Sequence, residues 1–118
     1  MRWNESNKNM PDENTDASIQ RWLAFLEAEW SKPEGFLGRA REGLFDSQRG
    51  DEFVEKLQRI RLQDGDRIDR RLVSLLWYIP TFLRWQKERI SESGGDTIAF
   101  ERLSNRVQTV VEGILGVP

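Results

Sequence analysis

Leu72-Val73-Ser74-Leu75-Leu76-Trp77-Tyr78-Ile79-Pro80-Thr81-Phe82-Leu83 is the longest apolar stretch in the chain, and its reading decides the fold. It spans twelve residues between Arg70-Arg71 and Arg84. A membrane-crossing helix needs about twenty apolar residues, so the stretch reads as a buried segment and not an anchor. At 100° per residue Leu72, Leu76, Ile79 and Leu83 share one helical face. Asp66 and Asp69 sit where carboxylates offset the exposed amides of a helix start, and the helix is predicted to run to about Ser91. Pro80 removes the amide that would bond the Leu76 carbonyl and crowds that carbonyl with its ring, which predicts a kink or break between Leu76 and Pro80. A helix apolar almost all round belongs at the centre of a bundle, with neighbours on several sides.

Working outward, Asp51 is placed to cap a preceding helix whose Phe53, Val54, Leu57 and Ile60 recur three and four apart, with Gly65 ending it and Asp46 to Gly50 forming a polar turn before it. Further back, Ser31 and Glu34 have capping-box spacing for a short helix with Phe36, Leu37, Ala40 and Leu44 inward. Gly35, Gly38 and Gly43 each weaken that helix by about 1 kcal/mol relative to alanine, so close packing is expected at them. Ile19, Trp22, Leu23, Leu26 and Trp30 form the stripe of a first helix. It is capped by Thr15 or Asp16 and stopped near Ser31, because Pro33 disfavours helical geometry at Lys32. Residues 1–14 read as a polar leader without the basic and apolar segments of a secretory signal. Beyond Ser93-Gly94-Gly95, Asp96 or Thr97 caps a last helix carrying Phe100, Leu103, Val107, Val110, Val111 and Ile114. With no sustained strand alternation and no repeat, the expectation is an all-α single domain over residues 15–118: an irregular bundle of about five helices around a Pro-kinked central one.

The chain has no histidine and no cysteine. The usual general base, the usual nucleophile–base pairs, the usual zinc ligands and any disulfide are therefore missing, and the fold suits a reducing, cytoplasmic setting. No cofactor, metal or catalytic residue is predicted, and no enzyme. Asp64, Asp66 and Asp69 lack the ligand spacing of a calcium loop and read as helix-start residues. Gly35, Gly38 and Gly43 lack the strand and the Lys-Ser/Thr ending of a phosphate loop. Charge is uneven: residues 1–56 hold 8 Lys/Arg against 12 Asp/Glu, and residues 57–90 hold 8 against 4. Arg59, Arg61, Arg67, Arg70 and Arg71 make a nucleic-acid-binding regulator the alternative function, opposed by a pI near 5.3 and by the interleaved aspartates.

The face opposite Leu72, Leu76 and Leu83 combines Arg70, Ser74, Trp77, Thr81, Arg84, Trp85 and Glu88. Tryptophan and arginine dominate interface hot spots, because a rigid aromatic buries much area and a guanidinium adds directed donors. This face either packs inside the bundle or meets a partner. The candidate partner-binding residues are Arg70, Trp77, Thr81, Arg84, Trp85 and Glu88, and an acidic alternative is Glu27, Glu29, Glu34 and Glu42. The run Gly35-Phe36-Leu37-Gly38-Arg39-Ala40-Arg41-Glu42-Gly43-Leu44-Phe45-Asp46, followed by Phe53 to Leu57, resembles segments of small helical immunity proteins from bacterial toxin systems. The resemblance implies a cytoplasmic inhibitor that occludes the active site or substrate cleft of a cognate toxin; the shortness of the apolar stretch, separately, gives the expectation of no membrane partner. A homodimeric adaptor built on the tryptophan face is the remaining expectation.

Overall fold

Side chains buried at three- and four-residue intervals line six helical segments in the computed structural model, which describes residues 11–62 and 67–118. The segments are α1 (Pro11–Ser31), α2 (Phe36–Arg41), α3 (Ser47–Leu57), α4 (Arg70–Trp77), α5 (Ile79–Glu92) and α6 (Thr97–Leu115). Four are long, at 21, 11, 14 and 19 residues for α1, α3, α5 and α6, whereas α2 and α4 have 6 and 8. The all-α bundle is as expected; the count of five is corrected, because the central helix divides at Tyr78, just before Pro80. Among the described residues no helix is long and apolar enough to cross a membrane.

α6 packs along α5 and α3 and touches α4, while α1 packs on α2 and α4, and α2 on α5 and α3. The core is one cluster drawn from every helix, including Leu26, Leu37, Leu57, Leu72, Leu76, Ile79, Leu83, Phe100 and Val107. Each such side chain contributes about 1.5–3 kcal/mol by leaving water. The apolar stretch does supply the greatest concentration of core residues, yet it is not enclosed on all sides, and α6 shares the central role.

The local starts and stops differ from expectation where tertiary contacts compete with sequence signals. α1 begins at Pro11, inside the stretch read as leader; residues 1–10, and Trp3 with them, lie outside the described residues. The capping box at Ser31 and Glu34 does not form. Ser31 ends α1, Gly35 is the N-cap of α2, and the Glu29 carboxylate accepts from the Phe36 amide at 2.7 Å. This reversal is so tight that a Cβ on Gly35 would stand 2.5 Å from the Glu29 carbonyl oxygen, and one on Gly38 2.6 Å from that of Lys32. Close packing therefore accounts for both glycines. α3 is capped by Asp46, whose carboxylate accepts from the Gln48 amide, so the predicted turn at 46–50 is helix and Asp51 lies within it. Gly50 makes this possible: it is buried where a Cβ would meet Leu103 at 2.8 Å. α3 ends at Leu57, while the proposed Gly65 stop, with Asp64 and Asp66, falls outside the described residues. Leu44 is exposed, because Gly43 at φ +82 turns the chain out of α2 before it.

Candidate functional site

The site is built from the start of α4. The Asp69 carboxylate accepts from the amides of Arg71 and Leu72 at 2.8 and 3.2 Å, which fixes where the helix begins. Leu72, Leu75 and Leu76 then enter the core, so Arg70, Ser74 and Trp77 must face outward. α4 ends at Trp77; Tyr78 keeps right-handed backbone angles (φ −83°, ψ −16°) and its carbonyl takes the Phe82 amide at 2.9 Å. Through this interruption the register persists. Ile79, Pro80, Phe82, Leu83 and Ile90 are buried, and Arg84, Trp85 and Glu88 continue the outward face with half-buried Thr81 among them.

The disputed face is thus solvent-facing. Trp77 is 57% exposed and Trp85 65%. Neither ring stands alone: Tyr78 meets Trp77 edge-on at 5.4 Å between centroids and Trp85 at 5.8 Å, a geometry that aligns a ring's positive edge with its neighbour's negative face. Tyr78 also stacks on Trp30 of α1 at 6.3 Å, and Trp30 meets Phe82 edge-on at 4.8 Å. The Trp30 indole N–H donates to the Leu75 carbonyl at 2.9 Å, pinning α1 beside the interruption. Arg41 covers the Phe82 ring at 5.5 Å, and its own carbonyl accepts from Arg89 at 2.6 Å. A packed base of Trp30, Tyr78 and Phe82 therefore supports an exposed layer of Trp77 and Trp85.

On its other side the face borders a groove of about 250 Å³, in which Trp77, Pro80, Thr81 and Arg84 oppose Val111, Glu112 and Leu115 of α6. Arg84 also edges a neighbouring depression of about 290 Å³ above Phe100 and Ser104. Among the described residues Arg84 and Glu88 make no ion pair, whereas Arg71 holds Glu27 at 3.2 Å and Lys87 holds Glu101 at 2.6 Å. A larger hollow of about 470 Å³ lies elsewhere, between Gln58 to Leu62 and Val110 to Ile114.

The structure gathers Trp77, Thr81, Arg84, Trp85 and Glu88 on one surface, with Arg70 at its N-terminal end. The acidic set is dispersed in role: Glu27 pairs with Arg71, Glu29 caps α2, and Glu34 and Glu42 are exposed beside either end of α2. Of the arginine cluster, Arg59 pairs with Glu55 and Arg71 with Glu27. No group of three or more Asp or Glu side chains gathers to hold a metal among the described residues. Two residues were missed. Trp30 reads from sequence as one member of the α1 stripe, and Tyr78 as part of a buried run. The seven-residue spacing from Tyr78 to Trp85, two helical turns, was the available signal that they share a side.

No protein-family model, curated protein or solved structure matches this chain.

Proposed function

We propose that the chain is a protein-binding module whose partner surface is the Trp77–Trp85 face, and that it acts as an inhibitor of the immunity-protein type, neutralising a bacterial toxin in the cytoplasm by direct binding. The observation that carries this is the exposure of two large indole rings on a rigid aromatic base. Exposed tryptophans held in place lose little conformational entropy on binding and bring about 150–250 Å² of surface each. Arg84, unpaired among the described residues, adds directed donors beside them. In this reading the chain works by occlusion, with no chemistry of its own: the face covers the toxin's active site or substrate cleft. Glu27 and Glu29 serve within the fold, which makes the acidic set the lesser surface.

The test is titration calorimetry against the product of the gene adjacent to this chain's. Trp77→Ala with Trp85→Ala is expected to weaken the complex by more than about 2 kcal/mol while leaving the helical circular dichroism intact. An adjacent product that does not bind sinks the immunity reading; binding that ignores both substitutions places the interface elsewhere.

A further inference from the structure

The exposed face of α4 and α5 carries a symmetry of its own. Counted outward from Thr81, Trp77 and Trp85 lie four residues to either side, Ser74 and Glu88 seven, and Arg70 and Glu92 eleven. All six flanking residues are exposed, and Thr81 at the midpoint is small and half-buried. Arg70, Ser74, Trp77, Thr81, Trp85, Glu88 and Glu92 are spaced 4, 3, 4, 4, 3 and 4 apart, so at 100° per residue they stay on one side of the helix and form one seam. Helical backbone angles at Tyr78 carry that seam through the interruption.

We propose that this face is covered by a second copy of the chain, in an antiparallel two-fold pair centred on Thr81. In such a pair each residue meets the one equally far beyond the axis on the other copy. Trp77 then meets Trp85, Arg70 meets Glu92, Ser74 meets Glu88, and two threonines leave room at the crossing. A parallel pair would instead set Arg70 on Arg70 and Arg84 on Arg84, like charges face to face. Of the charges beside the seam, Arg71 is engaged by Glu27 and Lys87 by Glu101, and Arg84 falls opposite Tyr78 of the other copy. From Arg70 to Glu92 the seam rises about 33 Å at about 1.5 Å per residue, long enough for an interface at the small end of specific ones. The inference goes beyond a heterologous partner and does not depend on it; a toxin using the same face would have to displace the second copy.

Sedimentation velocity of the full chain, alone, from about 5 to about 500 micromolar is expected to show a monomer–dimer equilibrium. Thr81→Arg sets two like charges at the axis and is expected to weaken the pair about a hundredfold, with circular dichroism reporting that the helices remain. Arg70→Glu and Glu92→Arg are each expected to weaken self-association about threefold or more. An equimolar mixture of these two variants restores it, since every carboxylate in the mixed pair again faces an arginine. A chain monomeric throughout overturns the proposal, as does a dimer indifferent to Thr81→Arg or a mixture without recovery. Calorimetry against the toxin reads the other proposal separately: a monomeric chain that binds toxin overturns the pair alone, and a dimer that binds none overturns the immunity reading alone.

Discussion

Two runs of aromatic rings cross this molecule, and they end in opposite environments. The inner run passes from Phe25 to Phe53, Phe36, Phe45 and Phe100, with successive centroids 5.8, 5.0, 6.4 and 5.2 Å apart, joining α1, α3, α2 and α6. The outer run passes from Phe82 through Trp30 and Tyr78 to Trp77 and Trp85 at 4.8 to 6.3 Å. Ring spacing is the same in both; burial is not. Phe36, Phe53 and Phe100 are at most 4% exposed, whereas the outer run finishes on the two tryptophans in solvent. Contact between rings therefore does not distinguish a core from a binding surface. What distinguishes them is whether another helix closes over the rings: α3 and α6 pack together around Phe53 and Phe100, and no described segment closes over Trp77 and Trp85.

The largest effect is expected on the inner side. Phe100→Ala removes a ring that is 1% exposed and packed on Phe45, and is expected to cost about 3–5 kcal/mol in urea unfolding, the sum of lost transfer free energy and the cavity left behind. A cost below about 1 kcal/mol would mean that α5 and α6 close the gap, and the inner run would lose its claim to be the core.

An intermediate effect belongs to the ring where the outer run joins the fold. Trp30→Phe keeps most of the packing on Phe82 but deletes the indole N–H that the Leu75 carbonyl accepts. Because this carbonyl is part-buried, a loss of about 1 kcal/mol is expected. Partner affinity should fall less than with Trp77→Ala, since Trp30 positions Tyr78 without presenting its own face. Affinity lost at Trp30 as fully as at Trp77 would extend the binding surface onto α1.

How far these regions were legible in the sequence follows from the same contrast. Phe53, Phe100, Leu72 and Leu83 are identifiable from periodicity because one stripe faces one neighbour. Pro80 marked the interruption, since a missing amide acts locally, although periodicity could not choose between a kink and two helices. Periodicity could not decide the fate of Trp77 and Trp85 either. Their side of the helix mixes two indoles with Arg, Ser, Thr and Glu, a composition that suits a core edge or a surface alike, and which neighbours reach it is set by tertiary packing. Helix starts were misplaced where long-range contacts outweighed local signals: the Glu29 carboxylate displaced the Ser31 box, and Gly50 let α3 begin four residues before Asp51.

The smallest stability effect is the sharpest test of the comparison. Trp85→Ala deletes the larger-exposed ring of the outer run, and its only ring contact among the described residues is the edge of Tyr78. An exposed side chain away from caps and buried networks is expected to change unfolding free energy by no more than about 0.5 kcal/mol, its solvent-facing contact with Tyr78 included. A ring of this size that the fold barely needs is one the surface holds for another purpose. Chemical denaturation of Trp85→Ala monitored by circular dichroism measures this directly. A loss above about 2 kcal/mol would make Trp85 part of the core's closure, and the outer run would then be a second core lacking its cover rather than a surface for binding.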